Sequence, residues 1–156
     1  MTDRITAEAR SRTMASIRRK GTSMEKVVEG LIQKSRFSFV MHPPWLGSPD
    51  FAFQRRGVVV FLDSCFWHKC PEHFRPPKSR TTYWEAKISR NVARDFETRA
   101  KYRELGWEVL QFWEHSVAAA PKSCLENLIK ALRNRKPCSL IPPPPKRTPG
   151  GGVRFQ

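Results

Sequence analysis

Pro49-Asp-Phe-Ala-Phe-Gln-Arg-Arg-Gly-Val-Val-Val-Phe-Leu-Asp63 is the stretch on which the architecture turns. Asp50 to Phe53 and Val58 to Leu62 read as two strands joined by the short polar turn Gln-Arg-Arg-Gly, a hairpin pattern. The second strand is apolar throughout, as a central strand covered on both faces is. Working backwards, the loop 41–49 holds prolines and a glycine that forbid regular structure, and Phe37 to Val40 reads as a further strand. Thr22-Ser-Met-Glu25 matches a capping box. Met24, Val27, Val28, Leu31 and Ile32 then follow at helical spacing, which predicts an amphipathic helix from about Ser23 to Lys34.

Working forwards, Thr82 is placed to cap a long helix from about Tyr83 to Leu105. Trp84, Ile88, Val92 and Phe96 recur in it at four-residue intervals, and Gly106 supplies the stop. Trp107 to Trp113 is apolar enough for another strand. Leu125, Leu128, Ile129 and Leu132 share one face of a last helix from about Ser123 to Arg133. The chain accordingly divides into an N-terminal arm (1–21), a folded body (22–135) and a Pro/Gly-rich basic tail (136–156) that cannot bury an apolar face and is expected to be extended or disordered. In the arm, Met14 and Ile17 lie one helical turn apart among basic residues. That pattern suits a short helix or ordered arm, with a solvated helical face as the lesser alternative.

The 156 residues suffice for one domain with a core that needs no disulfides. Lys and Arg total 29 against 14 Asp and Glu, and the net charge of +15 points to a polyanionic partner, nucleic acid before anionic membrane. Without a run of about 18 apolar residues or a signal-peptide core, a soluble cytosolic protein is expected. Four cysteines in such a chain favour metal binding over disulfides.

Cys65-Phe-Trp-His68-Lys-Cys70-Pro-Glu-His73 places two thiols and two imidazoles directly after the buried strand. Zinc takes four soft or borderline donors in a tetrahedron, and Cys65, Cys70 and His73 are spaced for a compact loop to wrap one ion. His115, directly after the Trp107 to Trp113 strand, is the best fourth donor, because neighbouring strand ends bring their following residues together. A free buried thiol pair beside surface histidines is the other reading. Cys124 reads as a core residue and Cys138 as an incidental thiol. His68 stays off the zinc and becomes a candidate general base for phosphodiester hydrolysis, since a neutral imidazole accepts a proton from water near neutral pH. The hairpin can bring Asp50, Asp63 and His68 to one end of the sheet, where carboxylate oxygens suit magnesium. On the residues alone, Asp50 reads as well as a turn residue or helix-cap-like acceptor.

These stretches, together with Glu25-Lys26, Trp84-Glu-Ala-Lys-Ile88, Asn91, Arg94-Asp95 and Trp113-Glu-His115, resemble the very-short-patch repair (Vsr) endonucleases in order and spacing from about Ala9 to Val117. The resemblance implies an α/β, restriction-endonuclease-like fold: a mixed central sheet flanked by helices, with a structural zinc site. It implies that Asp50 binds magnesium, that the backbone carbonyl of Leu62 completes that site, that His68 activates the attacking water, and that Glu25 supports the metal waters. Asp63 takes a place where some relatives carry histidine and could tune those waters or assist the base. Some relatives space the zinc ligands differently by one residue and carry Cys at the place of His115.

Phe66, Trp67 and Trp84 match the family's intercalating wedge, although aromatic residues are more often core. Met14 and Ile17 match residues approaching from the minor groove, and Arg18, Arg19 and Lys20 are expected on phosphates. The implied substrate is double-stranded DNA with a T·G mismatch left by deamination of 5-methylcytosine, nicked on the 5′ side of the T. A restriction-type endonuclease on paired DNA and a non-catalytic, zinc-stabilised DNA-binding protein are the alternatives. Expected partners are mismatch-repair proteins, a repair polymerase and, functionally, a cytosine-5 DNA methyltransferase. A monomer in the cytoplasm, on the nucleoid and away from membranes, is expected.

Overall fold

The computed structural model describes residues 6, 8–9, 12, 21–137 and 142–145. Thr22 caps helix α1 (Ser23–Ile32), its hydroxyl accepting the Glu25 N–H at 3.2 Å, as the capping pattern predicts. A 3₁₀ turn (Gln33–Ser35) and a left-handed Arg36 end it. Strand β1 covers only Val40–Met41, shorter than the expected Phe37 to Val40 and shifted by one residue. It pairs only where β2 (Phe51–Phe53) offers a partner; Phe37 and Phe39 instead pack their rings on the core beside it.

The hairpin holds. Strand β2 runs antiparallel to β3 (Val58–Asp63) in the register Phe51↔Val60, Ala52↔Val59 and Phe53↔Val58. The polar turn is a 3₁₀ turn (Gln54–Arg56) closed by Gly57 at φ 60°. Arg56 bridges this turn to the carbonyls of Leu132 and Arg135, and Arg135 Nε donates back to the Arg56 carbonyl at 2.6 Å. All six residues of β3 are buried. Their alternation divides them between two cores. Val58, Val60 and Leu62 join Phe51, Phe53 and Phe112 beneath Val28, Ile32, Leu128 and Leu132, whereas Val59 and Phe61 join Ala52, Leu46, Tyr102 and Trp107. Burying each such large side chain contributes roughly 1.5–3 kcal/mol, so these cores set the frame that polar contacts only refine.

After β3 the chain crosses over through α2 (Thr81–Glu104) to β4 (Glu108–Trp113), which lies parallel to β3 from Val58↔Glu108 to Asp63↔Trp113. The sheet order is β1-β2-β3-β4, a mixed sheet with helices on both faces. The expected Thr82 cap is corrected: α2 begins two residues earlier, at Thr81, behind a left-handed Arg80 with no side-chain cap. The apolar stripe of α2 also differs. Steps of four residues rotate 40° each around a helix of 3.6 residues per turn, so Val92 and Phe96 drift to solvent, Phe96 being 74% exposed. The inward stripe runs instead through Ile88, Thr98 and Tyr102, with Asn91 and Asp95 half-buried along it.

Gly106 at φ 83° ends α2 as expected. A short helix not expected from the sequence, α3 (Glu114–Ala119), follows β4, and α4 (Pro121–Asn134) starts with proline in its first turn. Residues 142–145 of the tail lie against the body without helix or strand. Pro144 is fully buried, its carbonyl accepts the Leu46 N–H at 3.2 Å, and Trp107 Nε1 donates to the Pro142 carbonyl at 3.3 Å. Among the described residues no helix is long and apolar enough to cross a membrane.

Candidate functional site

Asp50 sits immediately before β2, and its backbone is held from both sides. Its N–H donates to the Val60 carbonyl at 3.0 Å, and its carbonyl accepts from His42 N at 3.1 Å. The side chain then fills the ladder position that β2 has not yet reached: Leu62 N–H donates to Asp50 Oδ2 at 2.7 Å. Because the N–H and C=O of one strand residue face the same edge, the Leu62 carbonyl lies on the edge that carries this carboxylate. The preceding loop is pinned to α2. Tyr102 donates to the Leu46 carbonyl at 2.8 Å, and Gly47 at φ 70° lies so close to Thr98 that a Cβ has no room there. Burial raises the Asp50 carboxyl to about 6, aided by the charges of Glu25 and Asp63 and opposed by the Leu62 N–H and by His42. A cation bound beside this carboxylate would favour its ionised form.

Glu25 comes to the same place from the third position of α1, and is buried. Its Oε2 accepts the Gly21 N–H at 2.8 Å and lies 2.9 Å from His42 Nε2, while Oε1 accepts from the Thr22 hydroxyl at 3.2 Å. Glu25, His42 and Asp50 each offer one donor atom, all within 4.8 Å of one another. Two carboxylates with a backbone carbonyl at hand suit a hard divalent ion such as magnesium.

At the end of β3, buried Asp63 is held by Arg99 and by Gln111 Nε2 at 2.6 Å. His68 stands beside it, with Nδ1 at 3.7 Å from Asp63 Oδ1 and at 2.5 Å from Asp95 Oδ2 on α2. Burial alone lowers the imidazole pKa, but the Asp95 hydrogen bond and the charges of Asp63 and Asp95 outweigh it and outweigh Arg99, so the net shift is upward. With Nδ1–H donated to Asp95, Nε2 carries the lone pair that can take a proton. Asp50 is bonded to Leu62 and His68 stands beside the next residue, Asp63, so the two lie at one end of β3. Within the sequence, Asp95 stands out only as part of the Arg94-Asp95 motif. Its signal was the inward face of α2, seven residues beyond Ile88, once that face is drawn correctly.

The loop 64–74 turns repeatedly, Cys70 N donating to the Cys65 carbonyl at 2.9 Å and Lys69 adopting φ 53°. It brings Cys65, Cys70 and His73 to His115 in the first turn of α3, their donor atoms all within 4.8 Å. His115 Nδ1 is 3.3 Å from Cys65 Sγ and 3.5 Å from Cys70 Sγ, and His73 Nδ1 is 3.9 Å from Cys70 Sγ. Adjacent sulfur and nitrogen ligands of a tetrahedral zinc stand about 3.6 Å apart, so this donor set fits that ion with no position left for water. His115 turns its other nitrogen towards Glu72 at 3.7 Å, and Glu114 accepts the Cys65 N–H at 3.2 Å. Cys124 is buried in the helix-side core and is not among the cage donors.

Between cage and base, Phe66, Trp67 and Trp84 form one half-buried cluster with centroids 5.0 to 5.9 Å apart, extended by Phe74 and by exposed Tyr83. Lys87 Nζ lies 5.1 Å over Trp67 and 5.5 Å over Trp84, and Asn91 donates to the Trp67 carbonyl at 3.3 Å. The rings shield one another instead of standing singly exposed. Met14, Ile17, Arg18, Arg19, Lys20 and Cys138 lie outside the described residues.

Residues 2–72 match the model of a family described as DNA mismatch endonuclease Vsr. The chain is 40% identical over 115 residues to the type II nicking enzyme V.NaeI of Lentzea aerocolonigenes, covering 68% of each chain. It is 38% identical over 133 residues to the type II nicking enzyme V.XorIIP of Xanthomonas oryzae pv. oryzae, covering 83% of this chain and 98% of that one. It is 34% identical over 125 residues to the DNA mismatch endonuclease Vsr of Escherichia coli K12, covering 79% and 80%.

Proposed function

The chain belongs to the Vsr family of DNA mismatch endonucleases, DNA-cleaving hydrolases, and from that premise we propose that it nicks one strand of double-stranded DNA on the 5′ side of the T in a T·G mismatch, with magnesium. The observation that carries this reading is the convergence on Asp63 at one sheet end: Asp50 anchored by Leu62 on one side, the His68–Asp95 pair on the other. Asp50 and the Leu62 carbonyl would hold the magnesium ion, with Glu25 beside them as the supporting carboxylate. The ion supplies charge neutralisation for the phosphate and polarisation of water. His68 Nε2 takes the proton of the attacking water as its oxygen bonds to phosphorus and a P–O bond of the strand breaks. Asp95 fixes the tautomer that makes this possible. Asp63, held by Arg99 and Gln111, stands beside the base at the end of β3.

Cys65, Cys70, His73 and His115 hold zinc as a purely structural staple, fixing the loop that carries His68 and the aromatic cluster. Phe66, Trp67 and Trp84 stack against bases at the mismatched step, where unstacking costs least. Met14 and Ile17 clamp from the minor groove, while Arg18, Arg19 and Lys20 bind phosphates. The lesion arises where a cytosine-5 methyltransferase works, so the flanking bases follow that partner's recognition sequence; a repair polymerase and mismatch-repair proteins act on the nick, in the cytoplasm on the nucleoid. Strand-resolved cleavage of duplexes differing only in T·G against T·A tests the reading. One nick in the T strand of the mismatched duplex is expected. Cleavage of both strands of paired DNA would favour a restriction-type enzyme instead.

A further inference from the structure

His42 lies in the irregular loop before Asp50, yet its ring joins the carboxylates of Glu25 and Asp50 in one donor group. The β1–β2 register, Val40↔Ala52 and Met41↔Phe51, continues to His42 opposite Asp50, whose carbonyl accepts the His42 N–H at 3.1 Å. Directly opposed residues of an antiparallel pair project to the same face. The side chain is only 15% exposed, and Nε2 lies 2.9 Å from Glu25 Oε2. The backbone is left-handed here, φ 45°, a conformation that residues with a Cβ adopt at a cost and that recurs at functional positions. Adjacent ligands on a six-coordinate ion with bonds of about 2.1 Å stand about 3 Å apart, and the nitrogen and the Glu25 oxygen already have that separation. Asp50 supplies the third donor of the same group.

We propose that His42 is a nitrogen donor to the ion held at Asp50, completing a two-carboxylate, one-imidazole set that binds manganese more tightly than magnesium. This rests on the reading of Asp50 as the ion-binding carboxylate. Imidazole is a borderline donor: divalent transition ions gain from it, whereas magnesium prefers oxygen. His42 thereby decides which ion the site prefers.

The test uses the full chain with one equivalent of zinc already bound, so that the cysteine cage is filled, and Mn²⁺ as the probe. Pulsed EPR reads nitrogen coupling to the bound ion; the free Mn²⁺ signal gives its affinity, and competition gives that of Mg²⁺. Wild type is expected to show nitrogen coupling. His42→Gln should lose it and bind Mn²⁺ about tenfold or more weakly, with Mg²⁺ affinity changed far less. His42→Asn provides a second variant, and zinc retention with an unchanged melting curve reports that each is folded. Bound Mn²⁺ that depends on Asp50 but shows no nitrogen coupling in wild type, or coupling that survives both substitutions, overturns the assignment of His42. Mn²⁺ binding indifferent to Asp50→Asn overturns the underlying ion site, and this proposal with it.

Discussion

Replacing Asp50 by Asn should stabilise the ion-free protein while destroying its activity. The amide keeps the shape of the side chain, and its oxygen still accepts the Leu62 N–H that now binds Oδ2 at 2.7 Å. What disappears is a carboxyl held, chiefly by burial, at about 6 instead of the ordinary 3.8. A folded-state pKa above the unfolded one means the native state binds more protons between those two values. The protonated carboxyl favours folding fully below about 4, and that contribution is lost as pH rises through about 6. At pH 7.5 wild type therefore bears the whole cost, roughly 3 kcal/mol at 1.36 kcal/mol per pH unit. Asn bears none. At about 2–4 °C per kcal/mol for a chain of this size, the variant should melt roughly 6–12 °C higher. Thermal unfolding in magnesium-free buffer, with zinc retained and no chelator added, measures the difference at pH 4.5 and 7.5. The gap should be small at the lower pH and open at the higher one. Saturating magnesium should raise the wild-type melting temperature and leave the variant where it was. A variant that melts at or below wild type at pH 7.5 would refute the account of Asp50 as a strained, cation-seeking carboxylate.

Three further perturbations address the other parts of the site. Asp95→Asn should slow single-turnover nicking about a hundredfold or more with DNA affinity kept. Because His68 must be neutral to accept a proton, the rate should rise with pH, and removing Asp95, which holds the imidazole pKa up, should move that rise to lower pH; an unmoved profile counts against the pair. Cys70→Ala should release the zinc and cost several kcal/mol of stability, read by metal content and melting, whereas Cys124→Ala, altering a thiol outside the cage, should retain its zinc. Trp84→Ala should weaken binding to the T·G duplex by about 1–3 kcal/mol and affect paired duplex less; equal losses on both duplexes would leave the aromatic cluster with a packing role only.

Much of the frame was legible because it depends on local pattern. The run Val58 to Leu62 has no polar residue before Asp63, and it is indeed the strand buried on both faces. Thr22 with Glu25 marks the start of α1 because the cap bonds three residues away. The departures are long-range. Phe37 lost its strand for want of a β2 partner, and the four-residue stripe of α2 ran off its own buried face by geometry, leaving Phe96 in solvent. A proline run has no periodic apolar face, yet Pro144 is buried and the 142–145 segment bonds to Leu46 and Trp107, contacts that no local signal announces.

The site divides in the same way. Loop spacing brings Cys65, Cys70 and His73 together, and the parallel β3–β4 pair explains why the residues after Asp63 and Trp113 meet, which is where His115 lies. Asp95 reaches His68 across 27 residues through the drawn-in face of a helix, and His42 reaches Glu25 through a left-handed backbone turn. Neither contact has a signature in residue spacing.

Single-turnover nicking of a T·G duplex by wild type, Asp50→Asn and His68→Gln, measured beside their Kd for the same DNA, goes to the heart of the matter. Both variants should bind with nearly unchanged affinity and cut at the background rate. Turnover surviving in either one would show that the phosphodiester is broken without that carboxylate or that imidazole.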